Sequence, residues 1–310
     1  MDLPSPVIYV IPFFILLIIA EMVWARWKGG SRFEPRDTAT SLIMGLGSQF
    51  AGLLTGGLAL AVGLWIWDNF RLFDLGFHWW TFIIAFLADD LAYYVFHRAS
   101  HRIRWFWAAH VVHHSSQHYN LSTALRQTWT GNFPGFSFVF SLPLFLLGFH
   151  PLLIAFVSGI NLVYQFWIHT ESIRRLPGWF EAFFNTPSHH RVHHATNPRY
   201  LDANYAGTLI VWDRLFGTFV PEDDAEPCRY GIVRQLGTFN PLKVAFHEWI
   251  SIAKDIFGAR SWRDRLHFLF APPGWSPDGS RETSDMIKAR WARRSDPRSG
   301  PISKGIGVTL

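Results

Sequence analysis

The feature that most limits how this chain can fold is a series of five apolar stretches, each long enough or nearly long enough to cross a bilayer as a helix. They comprise residues 7–25, 41–67, 79–96, 133–149 and 151–167. About 20 apolar residues span the roughly 30 Å of hydrocarbon in a membrane. The last two stretches are separated by a short turn before Pro151, so we expect a tight helical hairpin that either crosses the bilayer or only enters it.

The composition is also that of a membrane protein. Charged residues are 16% of the chain, whereas soluble domains average about 25%. Aromatic residues reach 17% and include 16 Trp, a residue that collects at membrane interfaces. We therefore predict an all-α integral membrane protein with about four to five transmembrane helices. The net charge of +5 comes from Lys and Arg beside the apolar stretches and in the tail, which favours an anionic membrane surface over nucleic acid as the partner.

Loop charges predict the side of the membrane that each segment occupies. Four basic residues follow the first apolar stretch, whereas only Arg71 follows the second. By the positive-inside rule, residues 26–40 are cytoplasmic and the N-terminus is outside. Continuing the count through five spans puts residues 97–130 and the chain after Thr170 on the cytoplasmic side.

Two later segments are polar enough to lie outside the bilayer. Residues 241–257 have apolar side chains at helical spacing with charged ones between them, and this predicts a helix on the membrane surface. From Pro272 onward Pro, Gly, Ser and Arg dominate, so we predict that the polar tail is disordered.

Histidines cluster at the cytoplasmic ends of the predicted spans. The spacing H-x-x-x-H ends the third stretch, H-x-x-H-H follows it, a single histidine ends the fifth stretch, and H-x-x-H-H occurs again further on. The nine candidate metal ligands are His97, His101, His110, His113, His114, His169, His190, His193 and His194. Histidines three or four residues apart share one face of a helix and can bind one ion.

Nine imidazoles suit two metal ions with an open coordination position better than a structural zinc site, which is closed by four ligands. Cys228 is the only cysteine, so a thiolate-rich site and an intrachain disulfide are both excluded. A haem cytochrome or a metal transporter would place its histidines and carboxylates near the middle of the membrane. A zinc hydrolase would hold one ion and need no O₂. Imidazole alone does not separate Fe from Zn, Cu or Ni, but a dinuclear site at a bilayer favours iron and O₂ chemistry.

Other polar residues are predicted to support the ligands. Asp90 shares the helix face of His97, and an acidic residue this deep in a span is usually functional or paired. We expect it to hold a histidine ring in place. The further candidates for such support are His118, Gln165 and His189. The isolated histidines His78, His150, His247 and His267 are interpreted as packing residues.

The segments "WAAHVVHHSSQHYNLSTALRQT", "NLVYQFWIHTE", "NTPSHHRVHH" and "NYAGTLIVWDRLFGTF" resemble the fatty acid hydroxylase/sterol desaturase superfamily of integral-membrane di-iron oxygenases. Within it they are most similar to the alkylglycerol monooxygenase branch, which cleaves ether lipids. The resemblance covers about residues 85–245. It implies that the nine histidines bind two Fe, which Zn can replace on isolation, and that Asp202, Asn204 and Tyr205 pack beside the metals.

The same resemblance implies hydroxylation of a lipid C–H bond by O₂, with an ether lipid as the first expectation and a sterol, fatty acyl chain or carotenoid as the alternative. No haem or ferredoxin segment is evident, so a separate electron donor is expected, either tetrahydrobiopterin or another external reductant. Arg102 stands where the branch has an acidic residue, which puts the use of a pterin in question.

The predicted organisation has three parts. Residues 1–76 form N-terminal membrane anchor helices, and residues 77–258 form a fatty acid hydroxylase-like catalytic domain whose cytoplasmic helical cap holds the histidine-rich dimetal site. Residues 259–310 form the polar, disordered cytoplasmic tail.

Overall fold

The computed structural model describes residue 3 and residues 5–29, 32–130 and 136–295, and these form helices and loops with two isolated β-bridges but no strand. Three helices are long and apolar enough to cross a membrane: α1 (Pro6–Lys28), α2 (Pro35–Phe70) and α3 (Trp79–Arg102). They correspond to the first three predicted stretches. The helices that follow are α4 (Arg104–His114), a 3₁₀ turn (Leu121–Leu125), α5 (Phe136–Leu147), α6 (Pro151–Trp167), α7 (Gly178–Phe183), α8 (Pro187–His193), α9 (Val211–Leu215), α10 (Pro241–Gly258), α11 (Trp262–Phe270) and α12 (Ser284–Ser295).

The turn between α5 and α6 forms the predicted hairpin. Gly148 has a φ of 109°, and a Cβ on it would lie 2.1 Å from the carbonyl oxygen of Phe73, so only glycine fits there. Pro151 then occupies the first turn of α6, where its missing N–H costs nothing. The side chain of His150 accepts a hydrogen bond from the Leu152 N–H at 3.2 Å. Residues 133–135 of the fourth apolar stretch lie outside the described residues.

The apolar core lies where α3, α5 and α6 pack together. It includes Ala85 of α3, Leu144 and Phe145 of α5, and Leu153 and Val157 of α6, all buried. The outward faces of α1 and α2 remain apolar and exposed, as expected for helices whose solvent is lipid. This packing brings the C-terminal ends of α3 and α6 to the same end of the molecule as α4 and α8.

Helix α10 confirms the predicted amphipathic helix. Val244, Ala245 and Ile252 on one face are buried, whereas Leu242 and Phe257 on the other are 62% and 86% exposed. Its predicted position on the membrane surface remains a prediction.

The predicted disorder after residue 259 is wrong for two segments, because α11 and α12 are helical. Ion pairs attach this region to the rest of the chain: Arg281 contacts Asp255 of α10 at 2.7 Å, and Asp285 of α12 contacts Arg102 of α3 at 2.5 Å. Ile287 of α12 is buried. Residues 296–310 of the predicted tail lie outside the described residues.

Candidate metal centre

The structure brings all nine predicted ligand histidines together, in two adjacent groups. In each group the potential ligand atoms lie within 4.8 Å of one another. The group of five contains His97, His101, His110, His114 and His193, and the group of four contains His113, His169, His190 and His194. Eight of the nine rings are buried, and His110 is partly buried.

The histidines of each H-x-x-H-H motif are shared between the two groups, and the two motifs are shared in opposite ways. On α4 the outer histidines, His110 and His114, are one helical turn apart and belong to the group of five, whereas His113 belongs to the group of four. At α8 the outer histidines belong to the group of four, and His193 belongs to the group of five. Each motif therefore contributes two ligands to one group and one to the other.

Four of the rings are oriented by backbone carbonyl groups. The Nδ1 atoms of His97 and His193 lie 2.7 and 2.9 Å from the carbonyl oxygens of Tyr205 and Ala203. The Nδ1 atoms of His169 and His113 lie 2.7 and 3.3 Å from carbonyl oxygens of Gln165 and Arg126. A carbonyl oxygen only accepts, so each Nδ1 carries the proton and each Nε2 presents a lone pair.

This tautomer shows that the site fits a cation. The Nε2 atoms of His113 and His169 face each other at 3.1 Å, although both are acceptors once Nδ1 carries the proton. Two lone pairs at that distance repel, unless a cation between them accepts both. The Nε2 atoms of His101 and His193 are likewise buried with no hydrogen-bond partner among the described residues. Nitrogen ligands of this kind are those that Zn, Fe, Cu and Ni accept.

The turn at residues 202–205 positions three ligands of the group of five. The carboxylate of Asp202 lies 3.5 Å from Nδ1 of His101, and the next carbonyls of the turn hold His193 and His97, as described above. Asp202 and Asn204 both adopt left-handed φ angles, 49° and 54°, which are uncommon for residues with a side chain. Asn204 is held by its side-chain hydrogen bonds to the backbone of His189 and Val220.

Asp90 has other partners than the predicted histidine ring. Its carboxylate accepts hydrogen bonds from the backbone N–H groups of Thr208 and Leu209 and from Nε1 of Trp212, at 2.8–3.0 Å. Asn161 donates a fourth hydrogen bond at 2.9 Å. Asp90 therefore fixes the segment that follows the 202–205 turn, rather than a ligand.

The remaining supporting residues differ in their roles. Gln165 holds His169 through its backbone carbonyl, as given above, and not through its side chain. The ring of His189 turns away from both groups to pack on Phe219, with Nε2 3.9 Å from Glu181. His118 is partly buried, and its backbone is hydrogen-bonded to the hydroxyl groups of Ser116 and Thr123.

Two residues beside the ligands were not assigned a role from the sequence. The ring of Tyr119 packs 5.1 Å from that of His194, and its hydroxyl donates to the carbonyl of Ile168 at 3.0 Å. Arg126, whose carbonyl holds His113, is itself buried and paired with Asp37 at 3.0 Å. Both lie in the quoted segment around the first H-x-x-H-H motif, but only their tertiary contacts reveal their roles.

Burial lowers the pKa of His113 to about 4, and burial together with neighbouring imidazoles lowers the pKa of His114 and His190 well below the usual value. Unfolded histidines titrate near pH 6.5. Between about pH 6.5 and about pH 4 the unfolded chain therefore binds more protons than the folded one, and stability falls as pH falls.

We expect the thermal midpoint of the metal-free protein to be constant above about pH 7 and to decrease steadily from about pH 6.5 to about pH 4.5. The measurement is differential scanning fluorimetry in detergent across that range. A midpoint that does not change between about pH 7 and about pH 5 would contradict the assignment of neutral, buried imidazoles.

Comparison with known proteins agrees with this arrangement. A model of the fatty acid hydroxylase family matches residues 82–218, which include all nine histidines. An alkylglycerol monooxygenase of Danio rerio is 42% identical over 99% of this chain and 69% of its own length. The alkylglycerol monooxygenases of Xenopus tropicalis and Homo sapiens are each 41% identical over 90% of this chain and 62% of their own lengths. This chain thus spans about 62% of the length of the latter two relatives. No solved structure gives a significant match. With 42% identity over nearly its whole length to one such relative, the chain belongs to the fatty acid hydroxylase family.

Proposed function

We propose that the protein is a membrane-bound di-iron oxygenase that hydroxylates the ether-linked CH₂ of a 1-O-alkylglycerol. The observation that supports this most is the reciprocal division of the two H-x-x-H-H motifs between two adjacent groups of lone-pair nitrogens. The similarity to alkylglycerol monooxygenases supports the choice of substrate.

The proposed reaction inserts one oxygen atom and needs two electrons. The ether R–CH₂–O–R′, O₂, two electrons and two protons give R–CH(OH)–O–R′ and water. The hemiacetal then breaks its C–O bond to the glycerol oxygen, and the hydroxyl proton passes to that oxygen. The products are an aldehyde and glycerol.

Nine neutral imidazoles would hold the two ions, five around one and four around the other. Iron bound in this way would supply the O₂ activation that an unactivated C–H bond requires. The protein's own contribution is to keep the ligand nitrogens unprotonated, through burial, and to orient them. The carbonyls of Tyr205, Ala203, Gln165 and Arg126 do this for four rings, and the carboxylate of Asp202 lies beside a fifth.

The electron donor is proposed to be separate, with tetrahydrobiopterin as the first candidate. Arg102 pairs with Asp202 at 3.2 Å and with both carboxylate oxygens of Asp285. Its guanidinium is thus engaged by the protein, and this supports a structural role for the position where the related branch has an acid.

We propose that the metal centre faces the cytoplasm and that the α5–α6 hairpin enters the bilayer as a fourth and fifth apolar segment. The loop charges support this orientation. The exposed apolar faces of α10 and α11 support a cap resting on the membrane: on α11, Trp262, Leu266 and Phe270 are one turn apart and all exposed. The catalytic unit at residues 77–258 would then include this surface through α10.

The function is tested by O₂-dependent release of hexadecanal from 1-O-hexadecylglycerol. The protein would be loaded anaerobically with Fe(II) or with Zn(II), and assayed with and without tetrahydrobiopterin. We expect aldehyde only from the iron-loaded protein, in the presence of O₂ and a reductant. Aldehyde formation by the zinc form without O₂ would contradict an oxygenase. No aldehyde from protein that holds two irons would contradict the ether substrate.

A further inference from the structure

Helix α1 contains a buried acidic residue, Glu21, which is only 6% exposed. An ionisable side chain within a membrane span is costly, and it is usually functional or paired. The helix itself was predicted only as a membrane anchor, and it lies outside the region that the fatty acid hydroxylase model matches, residues 82–218. The contacts of the Glu21 carboxylate show a further role for α1.

The carboxylate of Glu21 joins two segments that are distant in the chain. Its Oε2 accepts a hydrogen bond from the backbone N–H of Leu121 at 2.8 Å, at the start of the 3₁₀ turn. Its Oε1 accepts hydrogen bonds from the hydroxyl groups of Thr170 and Ser172. Thr170 directly follows the ligand His169. One carboxylate therefore fixes the 3₁₀ turn relative to the residues that follow α6.

Both segments contact the group of four directly. His169 is itself a member of that group. Tyr119, two residues before Leu121, packs its ring 5.7 Å from that of His169 and 5.1 Å from that of His194. The Tyr119 hydroxyl also donates to the carbonyl oxygen of Ile168 at 3.0 Å. A shift of either segment would therefore move imidazoles of the group of four.

The segment after α6 has a second attachment, which comes from α8. The guanidinium of Arg191, which lies between two ligand histidines of the group of four, donates to the carbonyl oxygens of Thr170 at 3.0 Å and Ile173 at 2.6 Å. Arg191 also pairs with Glu222 at 2.7 Å. The segment is thus attached to α1 through Glu21 and to α8 through Arg191, so the carboxylate helps to set the position of α6 relative to α8.

Apolar contacts dock the same face of α1. Ile18, one turn before Glu21, is 5% exposed and packs with Leu121 and Phe166. The ring of Phe14 stacks on that of Phe166, with the ring centroids 3.8 Å apart. These side chains hold α1 without hydrogen bonds. Ile18 therefore offers a control in which the packing of α1 is weakened and the carboxylate is retained.

We propose that Glu21 is a positioning residue for the metal position formed by the group of four. The inference rests on the metal centre of the proposed function, but not on its reaction. Glu21 holds the 3₁₀ turn and the residues after α6 in the places where the imidazoles of this group converge, so α1 is part of the metal site. The group of five, three of whose rings are held by the 202–205 turn, should depend on Glu21 much less.

The test titrates full-length variants in detergent with Co(II), whose visible absorption reports its coordination, and records the thermal midpoint of each. Glu21→Leu removes both acceptor oxygens. Glu21→Gln keeps an oxygen that can accept from the Leu121 N–H, and its amide can donate to the hydroxyl oxygen of Thr170. Ile18→Ala is the matched control. Thr170→Val removes one hydrogen bond to the carboxylate and tests the same contact if Glu21→Leu does not fold.

We expect the unaltered protein to bind two Co(II) ions. Glu21→Leu should bind one of them as tightly and the other about 10–100-fold more weakly, as loss of a group that orients a ligand predicts. Thr170→Val should weaken the same ion a few-fold, and Glu21→Gln should recover most of the affinity. Ile18→Ala should lower the thermal midpoint but leave both affinities unchanged. Unchanged binding of both ions by Glu21→Leu would overturn the proposal, and so would equal weakening of the two.

A second measurement assigns the weakened position. His190→Ala removes a ligand of the group of four, and His193→Ala removes one of the group of five. Adding Glu21→Leu to His190→Ala should leave the remaining tight ion unchanged, whereas adding it to His193→Ala should weaken the remaining ion about 10–100-fold. The reverse pattern would reject the assignment of Glu21 to the group of four. Two ions that are insensitive to Glu21 would reject this inference alone, whereas an unaltered protein that does not bind two ions would reject the dimetal centre as well.

Discussion

Replacing His193 by alanine is expected to leave the protein with about one metal ion instead of two and to lower aldehyde formation at least about 100-fold. Loss of a residue that merely orients a ligand already costs about 10–100-fold in metal affinity or activity. His193 is the one member of the group of five that comes from α8, and its Nε2 has no partner among the described residues. The measurement is metal content by mass spectrometry, alongside the hexadecanal assay.

The neighbouring His189 supplies the control. It lies on the same short helix and is only 3% exposed, but its ring belongs to neither metal group. We expect His189→Ala to retain both ions, because its ring packs on Phe219 instead. If the two variants lost metal equally, the defect would lie in the folding of α8, and the assignment of His193 as a ligand would fail.

Replacing Arg126 by methionine is expected to destabilise the protein by about 3–5 kcal/mol, the usual cost of leaving one partner of a buried ion pair alone. The side chains of Arg126 and Asp37 are 1% and 4% exposed. The guanidinium also donates to Ser115 at 2.9 Å. Without it, the Asp37 carboxylate would remain buried with only the hydroxyl of Ser116 as a side-chain donor among the described contacts. The measurement is the midpoint of thermal unfolding in detergent.

The double variant Asp37→Leu, Arg126→Met separates charge from packing. Replacing both partners of a buried pair by apolar side chains is often nearly neutral, so we expect it to recover most of the lost stability. It should also hold two metal ions, because the carbonyl of residue 126 still accepts from Nδ1 of His113. A double variant no more stable than Arg126→Met would contradict a dominant charge effect and indicate a loss of packing.

Features of the chain that repeat locally were predictable. The apolar stretches gave α1 and α3 to within a few residues at most ends, because a lipid-facing helix is apolar on nearly every side. The ligand histidines were predictable because the histidines of each motif lie three or four residues apart, which is one turn of helix. The backbone carbonyls that orient the rings were not predictable, since every residue has a carbonyl. Ala203 has no side-chain property that marks it as the partner of His193.

Contacts between distant segments account for the two main differences. The position of Asp90 on the same helix face as His97 was predicted, but three of its four hydrogen-bond donors come from residues 208–212, more than 100 residues later in the chain. The predicted disorder after residue 259 followed from a low apolar content. The ion pairs of Arg281 and Asp285 with α10 and α3 depend on the tertiary fold, which composition does not contain.

The two histidine groups draw their ligands from different parts of the chain, so they do not gain them at the same points of synthesis. Helices α3 and α4 contain four of the five histidines of one group, so that group is nearly complete while about two thirds of the chain is still to be synthesised. The group of four has only His113 at that stage, and it gains two ligands only when α8 emerges. The two histidine groups therefore fill at different stages of synthesis. If both bind metal as proposed, a nascent chain offers one nearly complete ligand group before the second exists, and the metal supply during translation would determine which ion enters first.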